Sequence, residues 1–172
     1  MVSITFSQYM KRREFVTISI KKALHAFKLG RRVSNVVLRI DKRLKDDIEV
    51  DYSKLRRKEV TISFGSEKSI TTQSIFHELG HVWDAVYNGL DFSMIKLNRR
   101  QQILGGLIIN LSLDGRLEKM GLPIHSKSQR IKDFKDINER FGVCLDSDSF
   151  KKLWGIKLTK RKLMLMIKEL GG

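Results

Sequence analysis

The clearest chemistry in the chain is carried by five consecutive residues, His77-Glu78-Leu79-Gly80-His81, an H-E-x-x-H pattern. On a helix, side chains four apart stand one above the other. Both imidazoles would then face the same way and share one Zn²⁺ at about 2.0–2.1 Å. Glu78 lies about 100° round the helix from His77. This keeps its carboxylate beside the cation but outside the coordination sphere. There it can take a proton from water that the metal has acidified to a pKa of about 7. The chemistry needs two neutral nitrogen ligands one turn apart, with a carboxylate base on the edge of the same face.

The flanking residues suit such a site. Ile75, Leu79, Val82, Trp83 and Val86 define one apolar face, and His77 and His81 lie roughly opposite, where the other residues are polar or small. Two histidines and a glutamate kept off the packing stripe are natural in a cleft. The plain alternative is an exposed helix face that happens to carry them.

A catalytic zinc takes three protein ligands and keeps one position open. Asn110, Asp114 and Glu118 are spaced by fours, on a face that also carries Ile103, Leu107, Leu111 and Leu117. Carboxylates on the apolar side of a helix are costly unless paired or on a metal. One of Asp114 and Glu118 is therefore expected to be the third ligand, and the other to hold a ligating histidine through its second ring nitrogen. Glu118 lies nearer the centre of the apolar stripe and ranks ahead of Asp114. The alternative is an acidic pair bridging to Arg116 or a neighbouring lysine.

Other side chains carry weaker signals. His125, after the Pro123 turn, is a candidate transition-state donor or distant third ligand, though a loop histidine is more often merely exposed. Tyr87 and Arg116 are candidate oxyanion donors. Asp84, one turn beyond His81, either orients a ligand or is a surface acid. His25, between Leu24 and Phe27, is expected to be structural, and Cys144 has no catalytic context.

The elements that position these residues are read from periodicity and caps. Segment 7–29 reads as a helix ending at Gly30, although Val16, Ile18 and Ile20 also alternate as a strand would. Three β-type runs follow at 33–40, 47–52 and 59–64. The fold class is α+β, a small, mainly antiparallel three-stranded sheet packed with helices. The motif helix spans 72–87 and closes at Asn88-Gly89. The acidic helix spans 98–120 and closes at Gly121-Leu122-Pro123. Gly105-Gly106 weakens it locally, marking a kink or a close approach. The tail, 126–170, reads as two or three amphipathic helices, including 128–141 and 159–170. In the last, Leu163, Met166, Ile167 and Leu170 form a core stripe. Residues 1–122 are expected to form the core domain, with 123–172 a helical extension packed on it.

H-E-L-G-H on a helix after a small sheet, with an acidic residue from the following helix, resembles the zincin metallopeptidases. The acidic third ligand points to their gluzincin branch, and the compact element order to minimal single-domain gluzincins. The resemblance covers roughly residues 7–122. It implies Zn²⁺ held by His77 and His81, Glu78 as the base, and a protein or peptide substrate. It also implies that strand 59–64 is the rim along which substrate lies extended, by β-augmentation. The order Asp114-x-x-x-Glu118 departs from the family, where Glu more often comes first and Asp four residues later. Residues 123–172 carry no resemblance.

Composition sets the outer bounds. The 172 residues are a one-domain length, able to bury roughly 70% of the unfolded surface. With 41% hydrophobic and 31% charged residues, disordered and collagen-like classes are excluded. One cysteine excludes an intrachain disulfide and, with a start unlike an export signal, suggests a reducing, cytoplasmic setting. No apolar run reaches membrane-spanning length. The net charge of +15 is uneven. Residues 1–58 carry 16 basic and 6 acidic side chains, 59–122 are near neutral, and 123–172 carry 12 and 6. Basic flanks of this kind resemble, in charge only, those of DNA-associated HExxH proteases, so nucleic acid is an expected alternative partner. The blander reading is a lysine-rich solvated surface. A third reading is a non-enzymatic interaction module with a structural or absent metal.

Overall fold

The computed structural model describes residues 2–7, 10–45, 47–91, 95–141 and 146–170. The chain forms two compact units, Met1–Val86 and Tyr87–Gly172. The fold is α+β, a four-stranded, mostly parallel sheet with six α-helices among the described residues.

The first unit runs β1 (Ser3–Phe6), α1 (Arg13–Ala26), β2 (Asn35–Ile40), β3 (Ile48–Asp51), β4 (Glu59–Phe64) and, up to Val86, α2 (Thr72–Asn88). In α1, Val16 and Ile20 are fully buried whereas Ile18 is 46% exposed. That is the 3.6-residue period and not alternation, so the segment's ambiguity resolves to helix. The helix is shorter than 7–29. It ends at Ala26, and the chain leaves through Lys28 in the left-handed region (φ 54°), so Gly30 is not the cap. Residues 8 and 9 of the expected span lie outside the described residues.

The sheet order is β1-β2-β4-β3, with β1, β2 and β4 parallel and β3 antiparallel to β4. This corrects the expected three-stranded, mainly antiparallel sheet. Helix α1 is the crossover that parallel β1 and β2 require. Strand β3 does not pair with β2 but folds back along the far side of β4. Strand β4 therefore sits inside the sheet, and Val60, Ile62, Ser63 and Phe64 are buried, as parallel strands covered on both faces usually are. Both of its edges are hydrogen-bonded, so 59–64 cannot be a rim that accepts a substrate strand. The edges of the sheet are β1 and β3.

In the second unit α3 (Arg99–Lys119) packs against α4 (Lys127–Phe141), α5 (Ser147–Leu153) and α6 (Lys160–Glu169). Leu104, Ile108 and Leu111 join Phe134, Phe150, Trp154, Leu163 and Ile167 in one buried cluster, with Met166 and Leu170 against it. A capping box between Asn98 and Gln101 opens α3, and Gly121 in the left-handed region closes it. The helix runs unbroken through Gly105-Gly106, and a Cβ at Gly106 would meet nothing within 4 Å. A close approach lies at Gly115, where a Cβ would stand 2.6 Å from Gly155 Cα. Among the described residues, no helix is long and apolar enough to cross a membrane.

Candidate metal centre

Helix α2 starts where hydroxyls satisfy its first amides. Thr71 Oγ1 accepts from Ser74 N–H at 3.0 Å, and Ser74 Oγ accepts from Thr71 N–H at 2.9 Å. This is the reciprocal arrangement of a capping box, with serine in the third position. The helix closes at Gly89, whose φ of 61° suits glycine. Ile75, Phe76, Leu79 and Val82 are buried. Phe27, just past α1, stacks on Trp83 (centroids 5.5 Å, 15° between planes) and meets Phe76 edge-on at 6.0 Å. These contacts fix the rotation of α2 about its axis, and so the direction of its histidines.

His77 Nε2 and His81 Nε2 lie 3.1 Å apart, with the rings perpendicular and their centroids 4.7 Å apart. Two N–H groups pointed at each other over that distance would clash, so at least one of these nitrogens presents its lone pair. Two nitrogens bound to one tetrahedral zinc at 2.0–2.1 Å would stand about 3.3–3.4 Å apart. The observed separation is within a few tenths of an ångström of that, so the imidazole pair fits a shared cation. One ligand atom from each of His77, Glu78 and His81 lies within 4.8 Å of the others. His77 and Glu78 are buried, at 4% and 8% exposure, and His81 is half-buried. The group is a candidate metal-binding site in which two borderline-soft nitrogens and one hard oxygen suit a first-row divalent ion. The plain alternative of an exposed helix face does not hold for His77 and Glu78, because α2 is buried on more than its apolar stripe.

The other expected residues are distributed as follows. Asp84 is 1% exposed and is not a surface acid. Asp114 and Glu118 belong to the second unit, and their expected order of burial is reversed. Asp114 is fully buried and its Oδ2 accepts from Arg130 Nε at 2.5 Å. Glu118 is exposed, and its Oε2 accepts from Trp154 Nε1 at 2.7 Å. Arg116 Nε donates to Ser112 O at 3.2 Å, one turn back on its own helix. Tyr87 is 47% exposed, His125 is half-buried, and His25 is exposed at the end of α1 instead of structural. Cys144 lies outside the described residues.

Sequence reasoning missed Arg130 and Trp154 as the carboxylates' partners. They stand 16 and 36 residues from them in the chain, and no local pattern signals such a pairing.

No protein-family model, no curated protein and no solved structure matches this chain.

Proposed function

We propose that the chain is a zinc-dependent peptidase that hydrolyses peptide bonds in a protein or peptide substrate. The observation that carries this reading is the 3.1 Å approach of the His77 and His81 Nε2 atoms, with the Glu78 carboxylate in the same buried cluster. His77 and His81 would hold the metal. The third protein ligand, proposed from the sequence pattern, is Asp114 or Glu118. When bound, the metal supplies Lewis acidity toward a carbonyl oxygen and toward water.

The remaining steps belong to the chain's own groups. A Glu78 carboxylate oxygen accepts a proton as water adds to the carbonyl carbon. It then returns that proton to the amide nitrogen as the C–N bond breaks, leaving a carboxylic acid and an amine. Partial burial of Glu78 limits competing hydrogen bonds from bulk water. Strand β3, antiparallel to β4 and unpaired on its outer side within the sheet, is the edge proposed to receive an extended substrate.

The test is Glu78→Gln, assayed for zinc content and for cleavage of labelled, unfolded casein. The variant should keep its zinc and lose cleavage. Cleavage at the parent rate would remove Glu78 from the mechanism.

A second reading is favoured by the burial of His77 and Glu78, since closed sites are typical of structural zinc. In that case the parent chain binds zinc and cleaves neither casein nor a mixed peptide library, and removing the metal lowers Tm.

A further inference from the structure

Strands β2 and β4 run parallel with Asn35 opposite Glu59. The segments that enter them therefore lie side by side at one end of the sheet. Lys58 O ties them together, accepting from Ser34 N–H at 2.8 Å and from Asn35 N–H at 3.0 Å. Both segments are basic. The 3-10 turn Leu29–Arg31 leads into β2 and carries Arg31, with Arg32 just beyond it. The turn Leu55–Arg57 leads into β4 and carries Arg56 and Arg57, with Lys58 just beyond it. Parallel registry thus brings together charges that lie about two dozen residues apart in the chain. The result is a concavity of about 440 Å³ lined by Arg31, Arg32, Leu55, Arg56 and Lys58.

All four cations are exposed, and among the described residues none forms an ion pair. By contrast, Lys54, in the same segment, is held by Glu59 at 3.1 Å. Four like charges around one hollow repel one another, and only an anion relieves that repulsion. Three of the four are arginines, whose planar forks match phosphate oxygens bidentately.

We propose that this hollow binds the phosphodiester backbone of a nucleic acid, without regard to sequence. The site is separate from the His77-Glu78-His81 group and does not depend on the peptidase reading. It lies at the N-terminal ends of β2 and β4, whereas the link to α2 leaves β4 at its C-terminal end. No aromatic side chain lines the hollow, so stacking on bases and reading of base edges are not provided for, while backbone contact is. A membrane surface fits less well, because basic membrane-binding elements also present apolar side chains. Leu55, the apolar side chain in the lining, is half-buried, and Ile18, on α1, the exposed large apolar residue of this unit among those described, does not line the hollow.

The experiment is fluorescence anisotropy of a labelled 20-nucleotide DNA duplex of arbitrary sequence, titrated with the full chain between 50 and 200 mM salt. Four phosphate contacts give a slope of log K on log salt of about −3.6, so affinity should fall roughly a hundredfold over that range. Arg31→Ala with Arg56→Ala should halve the slope to about −1.8 and weaken binding at low salt. Arg31→Lys with Arg56→Lys should preserve the slope, because the charge is unchanged. Lys151→Ala with Lys152→Ala removes equal charge from the other basic segment and should leave the slope unchanged. All four arginine changes are at exposed positions, and circular dichroism checks that each variant is folded. Equal weakening by the two alanine pairs would show that net charge, not this hollow, binds DNA. No duplex binding at 50 mM salt would also overturn the proposal. So would binding confined to phosphatidylserine vesicles.

Discussion

Phe27 stacks face to face on Trp83, two residues beyond His81, at a centroid distance of 5.5 Å. Through this one contact the residue that follows α1 sets the rotation of the helix bearing the candidate metal ligands. Phe27 is 2% exposed, so Phe27→Ala removes a packed ring and leaves a cavity. The expected cost is about 3–5 kcal/mol. Urea unfolding should show it as a lower midpoint, and zinc affinity should fall with it. Unchanged zinc affinity in the folded variant would mean that α2 is held in place by its other contacts alone.

The parts of the structure legible in the sequence are those specified by neighbouring residues. Helices α2 and α3 agree with expectation to within one residue at each end, because Asn88-Gly89, Asn98 and Gly121 are local signals. The histidine pair was legible for the same reason, since four-residue spacing alone juxtaposes the rings. Three of the four strands were legible as β-type runs, but β1 and the order and direction of the strands were not. Strand β1 is four residues long, half of them hydroxylated, and β2 finds its partner 24 residues away across β3. Glu118 is less buried than Asp114, against its expected place nearer the centre of the apolar stripe, because α3 is buried on several sides at once, by α4, α5 and α6.

The proposed third ligand is tested by metal content. His77→Ala should abolish stoichiometric zinc, since one imidazole alone cannot hold the ion. Asp114→Asn and Glu118→Gln are then compared by competition with a zinc chelator. Loss of an outer hydrogen-bond partner typically costs about 10–100-fold in affinity. The ligand itself should cost more. The variant with the larger loss identifies the ligand. Equal, small losses in both would remove the acidic ligand from the scheme.

The Arg130–Asp114 pair tests the second unit. Asp114 is fully buried and the Arg130 side chain is 12% exposed, so this is an interior ion pair. Arg130→Met leaves a buried carboxylate without that guanidinium, at a cost of about 3–5 kcal/mol. Changing both residues, Asp114→Asn with Arg130→Met, should recover most of the loss, because no charge is then stranded. Urea unfolding of the two single variants and the double variant gives the coupling. Additive losses would show that the pair contributes little of its own.

Acid stability follows from carboxylates held by local donors. Arg43, bonded to both oxygens of Asp41, lowers that carboxyl from 3.8 to about 2. Asn35, then Lys54, lowers Glu59. The Ser149 hydroxyl and backbone N–H lower Asp146. A depressed folded-state value stabilises the fold above the unfolded pKa, roughly 4. That contribution is lost as pH falls through the folded value, which for Asp41 is near 2. Carboxyl NMR titration should place Asp41 at about 2, and Arg43→Ala should raise it toward 3.8. An unmoved midpoint in the variant would mean that Arg43 does not hold it.

Gly115 is where α3 meets another backbone at close range. Its α-carbon faces Gly155, whose N–H donates to Leu111 O at 3.2 Å, while Ser112 Oγ donates to Ile156 O at 2.6 Å. The 154–156 turn is thus bonded directly onto the helix. That requires glycine on both sides, one for space and the other for its φ of 70°. Gly115→Ala would push its methyl into backbone that cannot rotate away, and overpacking of this kind costs about 1–3 kcal/mol. Gly106→Ala, on the same helix in open space, should instead stabilise by up to about 1 kcal/mol through helix propensity. Thermal unfolding of the two variants should therefore move in opposite directions. A shared direction would mean that helix propensity, and not the approach of Gly155, dominates at position 115.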